Sequence, residues 1–132
     1  MDQLDRIIGG FRPGELAIIT AETGSGKTLL AQQTRARACR DGFHSLFCSG
    51  EMLAPHLKRR ELAATAGVAP AKMRREDLLT PEDRGALIKA AAHECKHCRI
   101  LDGELEISRI RRTARMMKKK SGLDLMILDY AR

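Results

Sequence analysis

The chain has 132 residues, which is enough for one small domain and too few for a multidomain machine. Hydrophobic residues make up 43% and charged residues 31% of it, a balance that excludes compositional disorder. Lysine and arginine outnumber aspartate and glutamate 24 to 17, and the net charge of +7 favours polyanionic partners such as nucleic acid or nucleotides.

The chain contains no apolar run long enough to span a membrane, which takes about 18 residues. Its first residues include Asp2 and Asp5, where a secretory signal would carry basic residues followed by an apolar stretch. We therefore expect a cytoplasmic protein. Its four cysteines are then expected to be thiols, because structural disulfides are rare in that compartment.

Strands and helices are predicted to alternate along the chain. Short apolar runs indicate strands at residues 15–20, 45–49, 99–102 and 124–129. Helices are predicted from 27 to about 40, after 55 to about 67, from 81 to about 95 and from 107 to about 120, with a helical turn at 71–74. Thr80 is a good N-cap for the third of these helices. The alternation predicts an α/β fold, in which a mostly parallel sheet carries helices on both faces.

A glycine-rich run at residues 21–28 lies between the first predicted strand and the first predicted helix. Such a turn lets consecutive backbone N–H groups converge on phosphates at the positive end of a helix. Lys27 is expected to reach the β- and γ-phosphates of a nucleoside triphosphate, and the Thr28 hydroxyl to ligate Mg²⁺. Ala21 stands where this phosphate-loop pattern usually has glycine. The other predicted nucleotide-binding residues of the turn are Thr23, Gly24, Ser25 and Gly26.

Two acidic residues follow predicted strands. Asp129 comes directly after four apolar residues, and in phosphate-loop NTPases an aspartate in that position holds the water shell of Mg²⁺. Glu51 lies just past the second predicted strand, at the strand end where ligand-contacting side chains gather. A carboxylate there can polarise the water that attacks the γ-phosphate. On residue type alone, Glu51 is better interpreted as a solvated loop carboxylate.

Five segments in chain order carry a resemblance to a known family: 4–5 (Leu-Asp), 9–16 (Gly-Gly-Phe-Arg-Pro-Gly-Glu-Leu), 26–28 (Gly-Lys-Thr), 47–52 (Phe-Cys-Ser-Gly-Glu-Met) and 127–130 (Ile-Leu-Asp-Tyr). Together they resemble the ATPase domain of DnaB-type replicative DNA helicases. Generic phosphate-loop proteins lack the Gly-Gly-Phe segment and the Ser-x-Glu-Met step. The resemblance is therefore specific to this family, and its segments are spread over the whole chain.

The resemblance implies that residues 1–132 are part of a RecA-like ATPase domain, with a phosphate loop at 21–28 and a Walker B strand at 124–129. It implies ATP and Mg²⁺ as cofactors, with Lys27 and Thr28 on the nucleotide and metal. Glu51 becomes the catalytic carboxylate, and Asp129 the aspartate linked to the metal through water. In this family the ATPase drives a homo-hexameric ring along single-stranded DNA, so DNA unwinding is the expected function of the full-length protein.

Two departures from the family pattern stand at the end of the chain. Ala131 and Arg132 follow Tyr130, where the family commonly has leucine and then glutamine, and the sequence stops there. We therefore expect a front half of the motor that ends after the Walker B strand, without the DNA-contacting loops and the arginine finger. Such a chain would bind nucleotide with little turnover. Two alternatives stay open, another RecA-like repair or recombination ATPase and a non-catalytic nucleotide-binding interaction module.

Two weaker patterns favour structural explanations. Seven cations between residues 109 and 120 could track a phosphate backbone, but without interleaved aromatic residues a solvated helix face is favoured. His93, Cys95, His97 and Cys98 supply metal-ligating atoms, yet no second Cys-x-x-Cys pair follows at zinc-ribbon spacing. A helix end with incidental thiols is the favoured interpretation of that cluster.

Overall fold

The structure is a computed structural model and describes residues 2–92 and 96–129. Its helices are α1 (Asp2–Ile8), α2 (Lys27–Arg40), α3 (Ala54–Ala66), α4 (Pro81–Ala92) and α5 (Ile107–Lys120). Its strands are β1 (Ser45–Ser49), β2 (Cys98–Asp102) and β3 (Leu125–Asp129), and two 3-10 turns lie at Lys72–Arg74 and Glu76–Leu78. Each strand after β1 is reached through a helix, as parallel pairing requires.

The three strands form one parallel sheet in the order β2-β1-β3. All five residues of β1 are buried, because this strand is hydrogen-bonded on both sides and covered on both faces. Side chains alternate along it. Leu46 and Cys48 pack with Met117 of α5, whereas Phe47 lies under Arg35 of α2. Helices therefore cover both faces of the sheet, as predicted.

Glycine ends several helices in the predicted places. Gly67 closes α3 with a φ of 69°, and Gly122 follows α5 with a φ of 97°, both in the left-handed region that glycine adopts without strain. At the start of α4, the Asp83 N–H donates to Thr80 Oγ1 at 3.1 Å and the Thr80 N–H donates to Asp83 Oδ2 at 3.0 Å. This reciprocal pair confirms Thr80 as the cap.

The prediction of a strand at residues 15–20 is wrong. The segment has no regular structure, and the side chains of Leu16 and Ile18 are 87% and 76% exposed. A strand needs a hydrogen-bonded neighbour, and these residues pair with none of the described strands. The helix α1 was not predicted. The expected end of α4 near Cys95 lies outside the described residues.

The prediction of four thiols is also wrong, since Cys39 at the end of α2 is disulfide-bonded. A pairing of this kind depends on which residues the packing brings next to the helix end, which spacing in the sequence does not reveal. Cys48 is a buried free thiol in the centre of β1. Among the described helices, none has the length and apolarity needed to cross a membrane.

Candidate nucleotide-binding site

The glycine-rich run forms an open loop that leads directly into α2. Gly24 and Gly26 have φ values of 82° and 96°, a conformation that other residues rarely adopt. Apart from the adjacent residues of the chain, no heavy atom of the described residues lies within 4 Å of a Cβ atom placed on either glycine, so the surface of the loop is clear. Gly26 caps α2 without a side-chain hydrogen bond, which leaves the first backbone N–H groups of the helix available to an anion.

Lys27 is the first residue of α2, and its side chain reaches back over the loop. Its Nζ donates to the carbonyl oxygens of Ala21 at 2.5 Å and Glu22 at 2.7 Å. An ammonium has three protons, so one remains for a further acceptor. Thr28 follows at the second position of the helix and is half-buried. The loop therefore assembles backbone donors, an ammonium and a hydroxyl, a set that fits a polyphosphate with its Mg²⁺.

The orientation of α2 brings this loop to the carboxyl end of the sheet. Only four residues, 41–44, separate the end of α2 from the start of β1, so the carboxyl end of α2 lies near the amino end of that strand. Because α2 packs along β1 and β3, its amino end points toward the carboxyl ends of both strands. Glu51 and Asp129 lie at those ends.

Asp129 is the last residue of β3 and lies opposite Ser49 in the sheet. Its Oδ2 atom is buried and has no hydrogen-bond partner among the described residues. A buried carboxylate oxygen is costly unless a cation, a water molecule or a donor satisfies it. A hydrated Mg²⁺ ion fits that requirement, because its bound water molecules donate hydrogen bonds to carboxylates.

Glu51 is exposed and lies two residues after β1. The Gly50 N–H before it donates to the Asp129 carbonyl at 3.2 Å, which holds the start of this loop beside the end of β3. The Glu51 side chain makes no hydrogen bond or ion pair with any residue that the structure describes. The two predicted acidic residues therefore belong to adjacent backbone segments, and the Glu51 carboxylate is available to a ligand.

Ser49 and Asp102 support this loop, a role that the sequence analysis predicted for neither residue. The Asp102 Oδ2 accepts the N–H of Ala54, the first residue of α3, at 2.6 Å. The Ser49 Oγ accepts the N–H of Met52 at 3.0 Å. Both ends of the segment carrying Glu51 are thereby anchored to the sheet. An acidic residue directly after the apolar pair Ile100 and Leu101 was the available signal for Asp102.

The structure also locates the cations of residues 109–120 and part of the His/Cys cluster. The cations of α5 are exposed except for Arg109, whose guanidinium donates to the carbonyls of Asp102 at 3.1 Å and Glu104 at 3.0 Å. His97 Nδ1 lies 3.1 Å from His44 Nε2. His93 and Cys95 lie outside the described residues, as does Tyr130. Within residues 2–92 and 96–129, no three metal-ligating side chains come together.

Comparison with known proteins identifies the family. The model of the DnaB-like helicase C terminal domain matches residues 1–132. The chain is 32% identical over 131 residues to the replicative DNA helicase DnaB of Geobacillus stearothermophilus, covering 97% of the chain and 29% of that protein. It is 30% identical over 131 residues to the replicative DNA helicase DnaC of Bacillus subtilis (strain 168), again covering 97% of the chain and 29% of the relative.

The chain thus spans less than a third of the length of these relatives. The match nevertheless extends from the first residue to the last, and the parallel sheet confirms the predicted RecA-like α/β class. The chain belongs to the family of DnaB-like helicase C-terminal domains.

Proposed function

We propose that this chain is the nucleotide-binding part of an ATP-dependent replicative helicase motor. The observation that carries the proposal is the orphaned Oδ2 atom of Asp129, which lies at the strand end toward which the Lys27 loop points. Family membership favours a helicase over other RecA-like ATPases. In the full-length protein, we expect a homo-hexamer that moves on single-stranded DNA in the cytoplasm.

Each residue has a defined role in this proposal. The loop amides and Lys27 bind the phosphates of ATP, and they stabilise charge that develops on the γ-phosphate. Thr28 ligates Mg²⁺, and Asp129 accepts hydrogen bonds from its water shell. Glu51 orients the attacking water and accepts its proton. When bound, Mg²⁺ neutralises the charge on the phosphate oxygens.

Thermal unfolding with and without ATP and Mg²⁺ tests nucleotide binding. A ligand at 100 times its dissociation constant stabilises the folded chain by about 2.7 kcal/mol, so wild type should unfold at a clearly higher temperature with ATP. Lys27→Ala should lose this shift. Lys118→Ala removes an exposed lysine from α5, on the opposite face of the sheet, and should keep it. Equal shifts in wild type and Lys27→Ala would refute the proposed site.

A second measurement addresses the metal. Asp129→Asn retains the size of the side chain and removes its charge, so the ATP-induced shift should lose most of its dependence on Mg²⁺. For the chain alone we expect ATP binding with little turnover in a single-turnover assay. Hydrolysis by the monomer at a rate typical of an active helicase would contradict that expectation.

A further inference from the structure

A cleft rich in basic side chains lies between α3 and the 3-10 turn Lys72–Arg74, and Met52, the residue after Glu51, also lines it. Its volume is about 90 Å³. Three arginines contribute its positive charge, Arg59 and Arg60 from α3 and Arg74 from the turn, and His56 lies on the same face of α3. Buried Ala63 and half-buried Met73 also line the cleft, so part of its wall is apolar.

Three carboxylates of α3, the second 3-10 turn and α4 pair with basic groups outside the cleft. Glu61 of α3 pairs with Arg35 of α2. Asp77 binds Arg75 at 2.7 Å, and Asp83 binds Lys72 at 2.6 Å. No acidic side chain lines the cleft itself.

The four basic side chains of the cleft are not paired with any carboxylate of the described residues. None of them makes a hydrogen bond or an ion pair with a residue in the part of the chain that the structure describes. Like charges gathered on one cleft repel each other, and the repulsion is stronger beside an apolar wall than in bulk water. An anion in the cleft would convert this repulsion into attraction.

The size of the cleft narrows the class of anion. A volume of about 90 Å³ is far below the roughly 300–1,000 Å³ of sites that enclose drug-sized ligands. The cleft has room for a single tetrahedral oxyanion and is too small to enclose a whole nucleotide. Guanidinium groups offer paired N–H donors that match the oxygens of phosphate.

We propose that this cleft binds one phosphate group through Arg59, Arg60 and Arg74, with His56 at its edge. The group is either free phosphate or one phosphate of a nucleic-acid backbone. This site shares no residue with the phosphate loop at 21–28.

Phosphate binding should be measured in the Lys27→Ala variant, so that the phosphate loop does not contribute. Inorganic phosphate is titrated by calorimetry at constant ionic strength, with chloride as the balancing anion. Adding Arg74→Ala or Arg60→Ala should weaken phosphate binding by about tenfold or more, since each change removes charged hydrogen bonds. Arg74→Lys keeps the charge and should weaken binding less than Arg74→Ala.

Arg75→Ala is the matched control, because Arg75 is the next residue in the chain but binds Asp77 and does not line the cleft. It should leave phosphate affinity unchanged. Circular dichroism checks that each variant is folded, which is expected for exposed arginines. The proposal is overturned if phosphate does not bind saturably, or if Arg74→Ala and Arg75→Ala have the same effect.

A competition arm identifies the source of the phosphate. Single-stranded oligothymidylate of about ten nucleotides is added to the phosphate-loaded protein. If the oligonucleotide displaces phosphate, and this displacement is lost in Arg74→Ala, the cleft is assigned to a nucleic-acid backbone. Saturable phosphate binding that the oligonucleotide does not displace assigns the cleft to free phosphate. Loss of ATP binding by wild type would refute the proposed function without affecting this result, because the titration is made with the phosphate loop disabled.

Discussion

The ion pair between Arg35 of α2 and Glu61 of α3 connects the two helices that begin beside the proposed nucleotide site. The Arg35 side chain is 4% exposed and the Glu61 side chain is 27% exposed. The guanidinium carbon of Arg35 also lies 6.0 Å from the centre of the Phe47 ring. Beside this pair, the buried Gln32 Nε2 donates to the Leu57 carbonyl at 3.1 Å. The spacing between the two helices therefore depends on a few polar contacts.

The difference in exposure predicts an asymmetry between the two single variants. Glu61→Leu leaves a guanidinium almost completely buried without its partner, a defect that costs about 3–5 kcal/mol. Arg35→Met leaves a carboxylate that water can reach, so we expect a smaller loss of about 2 kcal/mol, close to that of one charged hydrogen bond. In the double variant, apolar side chains replace both charges, and much of the lost stability should return.

Urea unfolding followed by circular dichroism measures these changes as differences in the free energy of unfolding. The wild type, the two single variants and the double variant form a double-mutant cycle, which isolates the interaction between the two side chains. Equal destabilisation by Arg35→Met and Glu61→Leu would contradict the predicted effect of burial. The predicted interaction is refuted if the losses of the single variants add up in the double variant.

Three further outcomes concern the cap, the core thiol and the acid dependence of folding. Thr80→Ala should lower the free energy of unfolding by about 1 kcal/mol in urea, because α4 loses its cap; an unchanged value would contradict that role. Burial raises the pKa of the Cys48 thiol to about 11, with Arg109 opposing the shift, so iodoacetamide at pH 8 should modify Cys48 only after unfolding. Mass spectrometry checks this, and equal labelling of folded and unfolded protein would oppose it. Lys72 and then the Thr80 N–H hold the pKa of Asp83 below its usual range. The resulting stability is complete above the pKa of the unfolded carboxyl, about 3.9, and is lost as the pH falls through the lower folded pKa. Acid titrations should therefore show less loss of stability in Asp83→Asn than in wild type, and identical curves would count against the Asp83 contribution.

Local signals account for most of the correctly predicted fold. The predicted bounds of α2 and α5 agree with the structure because a phosphate loop begins one helix and glycine ends the other. The strands β1 and β3 were recognised because their apolar runs are short and continuous, as expected for strands covered by helices. The helix α1 was missed because its seven residues carry too few periodic positions to distinguish a helix from a loop.

The residues of the candidate site also differ in whether local sequence signals predict them. Lys27, Thr28, Glu51 and Asp129 were predicted because each role depends on residue type next to an element boundary. The role of Asp102 depends on the register that places it beside Ser49 and close to the start of α3. Register follows from the packing of all three strands, so no short motif encodes it.

The strand predicted at residues 15–20 does not form because an apolar composition alone does not provide a strand to pair with. Its apolar run satisfies the pattern of a buried strand, but a strand forms only where another backbone offers complementary donors and acceptors. In the described sheet β3 is an edge strand, and Met126 and Leu128 on it are 45% and 49% exposed. Leu16 and Ile18 of the unpaired segment are also exposed. The sequence pattern therefore correctly identified apolar side chains that favour burial. The prediction was wrong because no described strand pairs with this segment and buries them.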